Sequence, residues 1–135
     1  MAFRFEWMDD QKRAMVYIVE GDWNWKDYHH AVRASTFSMH GIDHSIESII
    51  DLRGSTRPTL PSGLLGHVRS FGRKNHPMLT GRAIVIGMPD EGLQTLQPRD
   101  DMILPTTDGF VLFVSSQDVL EQTLSDWLEN PPTTN

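Results

Sequence analysis

Six histidines are the residues of this chain most suited to metal or proton chemistry: His29, His30, His40, His44, His67 and His76. Imidazole binds metal ions and changes charge near neutral pH. The spacing works against a shared metal. His29 and His30 are adjacent on a predicted helix, so they diverge by about 100°. His40 and His44 are four apart, but Gly41 interrupts the helix that would aim them together. His67 and His76 are isolated, and no HExxH or HxH pattern occurs. No metal or cofactor is therefore expected. The chain has no cysteine, which removes thiolate nucleophiles, Cys-based zinc sites and disulfides. It has no GxSxG elbow, P-loop or dinucleotide fingerprint. A Ser62–His67–Asp51 triad can be drawn, but its spacing follows no nucleophile motif. The expectation is a protein that is not an enzyme.

The stretch TLPSGLLGHVRSF, Thr59 to Phe71, places Ser62 and Gly63 at a predicted helix start. Such a serine caps the first turn, which stabilises by about 1 kcal/mol. The same helix end presents free N–H donors and a partial positive charge. A phosphate on Ser62 would be tolerated there and would change the surface without melting the helix. Ser62 is thus the candidate switch. Ser55, Thr56 and Thr59 add hydroxyls to the preceding loop, and Gly54 serves its geometry.

The net charge is -6, which argues against broad nucleic-acid binding. The charge is unevenly spread. No acid occurs between Asp51 and Asp90, an interval that holds Arg53, Arg57, Arg69, Arg73, Lys74 and Arg82. A local cationic region on an acidic protein is a candidate site for an anion or an acidic partner.

The elements that must position these residues follow from periodicity. The length of 135 residues suggests one domain, residues 1–129, with a disordered tail at 130–135. FRFEWM, Phe3 to Met8, alternates apolar and polar; AMVYIVEG, Ala14 to Gly21, is β-branched and apolar. Together they predict an antiparallel hairpin. Asn24 caps a helix with Asp27 three residues on, and Trp25, Tyr28, Val32, Ser35 and Met39 form its apolar stripe. Strands are predicted over Ser45–Leu52, Arg82–Met88 and Phe110–Val114, and helices over 62–74, 90–96 and after Ser116. QPRDDMILPTTD gives no periodic signal. The order predicts an α/β domain with a mixed sheet, parallel in its later strands, and helices mainly on one face. Ligands in such sheets sit beyond the carboxyl ends of the strands. An apolar groove there would draw on Trp23, Trp25 and Phe71. Trp25 and Tyr28 are also expected to bury against the sheet, with Trp23 clamping the turn. The N-terminal charges do not fit a signal peptide, and no apolar run reaches the roughly 20 residues of a membrane span; a cytoplasmic location is expected.

With these elements placed, the chain resembles the STAS domain family, the anti-sigma-factor antagonist or SpoIIAA-like fold. It is most similar to small bacterial STAS-like proteins of unassigned function. The residues that carry the likeness are VYIVEGDWNWKDYHHAV, IESIIDLRGS, LPSGLLGHVRSFGRKNHP and RAIVIG. The resemblance implies a phosphate-accepting serine at the start of the helix after the central strand, here Ser62. It also implies a docking surface for a kinase-type anti-sigma factor. Leu60 and Pro61 stand where that family has an acid and a second serine. The expected function is a regulatory, protein-interaction module whose surface comprises Arg53, Ser55, Thr56, Thr59, Gly63, His67, Ser70, Arg73 and Lys74. The alternative is a carrier or sensor of a lipid or nucleotide. A homodimer is a third arrangement.

Overall fold

The computed structural model describes residues 3–56, 64–71, 73, 75–88, 103–106 and 108–130. The elements run β1 (Phe3–Trp7), β2 (Ala14–Val19), α1 (Trp25–Ser35) with a 3-10 turn (Thr36–Met39), β3 (Ile46–Asp51), α2 (Leu64–Phe71), β4 (Leu79–Ile86), β5 (Ile103–Pro105), β6 (Phe110–Val114) and α3 (Gln117–Glu129). The six strands form one sheet in the order β1-β2-β3-β4-β6-β5. Strands β2, β3, β4 and β6 are mutually parallel. The edge strands β1 and β5 pair antiparallel with β2 and β6. The mixed α/β sheet and the opening hairpin follow the sequence reading.

Alternation along the strands explains two cores. Met15, Tyr17 and Val19 of β2 point to one face; Ala14 and Val16 point to the other. Neither face of a central parallel strand meets water, so β2 and the Ala83–Ile86 part of β4 read as unbroken apolar runs. On the first face, Trp25, Tyr28, Ala31 and Val32 of α1 join Val68 and Phe71 of α2. On the second, Leu120 and Leu124 of α3 pack against Ile49, Ile84 and Val114. The topology accounts for this split. Helices α1 and α2 each link neighbouring parallel strands in the same direction across the sheet, and right-handed crossovers place both on one side. Helix α3 follows β6 and is not a crossover between two of these strands, so that rule does not place it; it covers the opposite face.

Local signals explain the helix starts. Asn24 Oδ1 accepts from Asp27 N–H at 2.9 Å, and Asp27 Oδ2 accepts from Asn24 N–H at 3.1 Å, a reciprocal capping box. Ser116 caps α3 by accepting from Val119 N–H. Strand β4 begins at Leu79, ahead of the expected Arg82, because a bulge sits there. Ile46 faces Leu79 while Ser48 faces Ala83, and Gly81 takes φ +86, a conformation that disfavours a side chain. Strand β5 has three residues, too few for a period to register. The helix expected over 90–96 and all of the tail expected at 130–135 except Asn130 lie outside the described residues; Asn130 donates to the Asp126 carbonyl at the end of α3. Among the described residues, no helix is long and apolar enough to cross a membrane.

Candidate functional site

Helices α1 and α2 lie side by side on one face of the sheet, and their seam carries the clearest chemical cluster. The apolar stripe of α1 points into the core, so the residues flanking it line the seam. Tyr28 and Val32 are buried, and His29, Arg33 and Thr36 rise beside them. Val68 and Phe71 anchor α2, leaving His67 and Ser70 on its flank, with Arg73 and Asn75 just beyond its end. Together Tyr28, His29, Val32, Arg33, Thr36, Ser70, Arg73 and Asn75 line a cleft of about 250 Å³.

His29 Nε2 lies 2.8 Å from His67 Nδ1. His67 in turn stacks flat on Trp25, with centroids 4.5 Å apart and planes 10° from parallel. Tyr28 meets His29 edge-on at 5.1 Å. The two imidazoles are thus held by aromatic neighbours rather than by carboxylates. A hydrogen bond between two ring nitrogens needs one proton between them, so the contact survives at most one net positive charge. Burial, followed by the electrostatic influence of His67, Arg33 and Arg73, pushes His29 below the ordinary imidazole value. The empty cleft thus favours the neutral form of His29.

The donors in the cleft are the charged ones. Thr36 Oγ1 donates to the Arg33 carbonyl and Ser70 Oγ to the His67 carbonyl, each at 2.7 Å. Asn75 Nδ2 donates to the Arg73 carbonyl at 3.3 Å. The Arg33 and Arg73 guanidinium groups have no such use. Among the described residues no carboxylate lies within ion-pairing distance of either. Among the described residues the lining contains no acid. Among the described residues no third His, Cys, Asp or Glu joins the imidazole pair to make a metal set. Chemically, the cleft suits a negatively charged group that accepts hydrogen bonds.

No family model, curated protein or solved structure matches this chain. The site is therefore read from its own residues.

The structure brings three of the sequence-expected surface residues, His67, Ser70 and Arg73, to this seam. It places Arg53, Ser55 and Thr56 elsewhere, in the loop beyond the carboxyl end of β3. There Arg53 is committed to Asp51 through Nε–Oδ1 at 3.0 Å and Nη2–Oδ2 at 2.8 Å. Burial opposes ionisation of Asp51, but the Arg53 hydrogen bonds and charge outweigh it and hold the carboxyl below its usual value. Ser55 Oγ accepts from Trp23 Nε1 at 2.8 Å, and Thr56 N–H donates to the Gly21 carbonyl. This loop is bound to the one before α1. Thr59, Ser62, Gly63 and Lys74 lie outside the described residues.

The acid-free interval does not make one cationic surface. Arg82 belongs to the opposite face of the sheet. Its guanidinium binds both carboxylate oxygens of Glu47, Nη2–Oε2 at 2.6 Å, and sits 4.5 Å from the Trp127 ring centre. Glu47 is 2% exposed and also accepts from Thr80 Oγ1 at 2.7 Å. The bulge in β4 brings Thr80 and Arg82 to the same carboxylate. This ion pair fastens the end of α3 to the sheet, because Arg82 Nη2 also donates to the Trp127 carbonyl.

Trp23, Trp25 and Phe71, named above for a groove, are buried. Trp23 and Trp25 meet edge to face at 4.9 Å, and Trp25 lies 5.7 Å from Phe71. Trp23 also packs on Phe3 at 5.2 Å. Their rings fill one another's space, and Trp25 and Tyr28 bury against the sheet as expected. Arg33 and Thr36 escaped the sequence reading, and His29 was weighed there only as a metal ligand. They recur at helical spacing beside the α1 stripe, which was a usable signal, but only the packed helices show that α2 faces them.

Proposed function

We propose that this chain is a non-enzymatic protein-interaction module of the STAS type, and that it docks an acidic segment of a partner protein in the cleft between α1 and α2. The observation that carries this reading is the juxtaposition of Arg33 and Arg73 with no carboxylate among the described lining residues. A cationic recess on a chain of net charge -6 concentrates the local field and orients an acidic partner. Phe37, the residue after Thr36, is 81% exposed. An exposed aromatic beside a charged recess supplies the apolar anchor that interfaces use. The strand order and the shared face of α1 and α2 support the STAS resemblance. Under that resemblance Ser62, two residues ahead of α2, is the phosphorylation switch that sets partner choice, and a kinase-type anti-sigma factor is the partner class.

Site-specific photo-crosslinking in the native host tests the docking face. A crosslinking residue at Thr36 or Asn75 is expected to give one discrete protein adduct, lost when Arg33→Glu and Arg73→Glu are combined. A crosslinker at Glu121 on α3 is expected to give none. Equal adducts from both faces, or adducts indifferent to the charge reversal, would overturn the proposal. Intact mass after incubation with cellular kinases, comparing wild type with Ser62→Ala, tests the switch. Phosphate retained in the variant, or absent from both, removes it.

A further inference from the structure

We infer that the cleft between α1 and α2 binds a phosphoryl group carried on the partner segment, gripped from opposite walls by Arg33 and Arg73, with the His29–His67 pair taking up a proton as the group enters. This deepens the docking reading above and rests on it.

The donor inventory selects the chemistry. The Thr36 and Ser70 hydroxyl protons are spent on backbone carbonyls, and Asn75 gives one of its two amide N–H donors to another. Among the described lining residues the charged donors are two guanidinium groups, each a planar fork of N–H donors that stays charged at any working pH. One fork comes from α1 and the other from beyond the end of α2. A carboxylate presents its two oxygens in one plane and satisfies one fork. A phosphoryl group presents three oxygens in three dimensions and can accept from both walls, with more charge to offset two cations.

The imidazole pair couples protons to binding. Around His29 the charged or titratable neighbours among the described residues are Arg33 and Tyr28 on α1, His67 on α2, and Arg73 beyond it. Burial first, and then the cationic neighbours, disfavour a proton on His29 in the empty cleft. An incoming dianion offsets those cations and removes their share of the bias. The pair then carries one proton in the His29–His67 hydrogen bond plus the proton gained, so binding strengthens as pH falls from 7.5 to 6.

The test uses the full chain, with sulfate, inorganic phosphate and a phosphoserine peptide with neutral flanks as probes. Sulfate stays a dianion across this pH range, so its affinity change belongs to the protein. Imidazole proton–carbon NMR spectra should show saturable shifts confined to His29 and His67. Arg33→Ala or Arg73→Ala should weaken binding at least tenfold, while Arg33→Lys retains part of it. Calorimetry in two buffers of different ionisation enthalpy should show proton uptake, reduced in both His29→Asn and His67→Asn. The peptide should bind more tightly than inorganic phosphate; equal affinity would reassign the site to a free oxyanion and overturn the partner-borne part. Shifts that grow linearly with salt and persist in the arginine variants would overturn the site. Buffer-independent heats would overturn the proton coupling. A chain that still crosslinks at Thr36 yet shows no saturable oxyanion binding keeps the docking reading and loses this inference.

Discussion

His29 Nε2 and His67 Nδ1 stand 2.8 Å apart across the seam between α1 and α2, although 38 residues separate them in the chain. Only one proton fits between those nitrogens. Protonating both rings there would set two N–H groups against each other and open the seam. The pair therefore links the charge of the cleft to the docking of two helices.

The pH dependence of stability follows. The folded-state value of His29 is lowered, chiefly by burial and then by its cationic neighbours. Below the unfolded value of about 6.5 the unfolded chain binds the proton first. Stability is thus full above that value and falls as pH drops through it toward the folded value. Denaturant midpoints between pH 7.5 and 5 should decline, with a shallower slope for His29→Asn. The carboxylates act in a different window. Asp9 and Asp51 are both held below 3.8, burial being outweighed by hydrogen bonds and charge from Arg13 and Arg53. Their contribution is present above that value and is lost only as pH falls further. A midpoint that is flat from 7.5 to 5 would contradict the His29 assignment.

Most of the fold was legible in periodicity. The capping box at Asn24 and Asp27, the stripe through Trp25, Tyr28 and Val32, and the continuous run Ala83–Ile86 are local signals, and each placed its element. Strand β5 was not legible, because three residues carry no period. Half of the site was legible as well: His67 and Ser70 lie on an apolar helix, and Arg73 just past it, in a stretch without acids. The other half was not, because the pairing of His29 with His67 depends on crossover handedness and on Trp25 offering a flat ring to His67. The charge tally misled for a similar reason. Arg53 and Arg82 sit in an acid-free interval, yet their partners Asp51 and Glu47 lie on the neighbouring strand β3.

The Glu47–Arg82 pair predicts an asymmetric response to mutation. Arg82→Ala strands a buried carboxylate and should cost about 3–5 kcal/mol. Replacing both partners, Glu47→Leu with Arg82→Met, removes the charge along with its partner and should recover most of that loss. Chemical denaturation of the two single variants and the double variant gives the cycle. Additive losses would show that the pair is not the fastening of α3.

Gly54 predicts a second sensitive point. A Cβ there would lie 2.3 Å from the Val19 carbonyl oxygen, a backbone atom that cannot swing aside. Gly54→Ala must push the loop off β2 and break the Gly21 N–H to Gly54 carbonyl bond. The expected loss is about 2–3 kcal/mol, with red-shifted tryptophan emission as Trp23 loses Ser55 and its burial. An unshifted spectrum and an unchanged melting temperature would remove the claim that this loop locks the two carboxyl-end turns together.

The most direct test of the docking face is hydrogen exchange on the full chain, alone and bound to the protein captured at Thr36. Slower exchange in α1, the Thr36–Met39 turn and α2, with α3 and the β1 edge unchanged, is the predicted pattern. Protection confined to α3 or to Phe3–Trp7, with the His29–His67 seam exchanging as in the free chain, would contradict it.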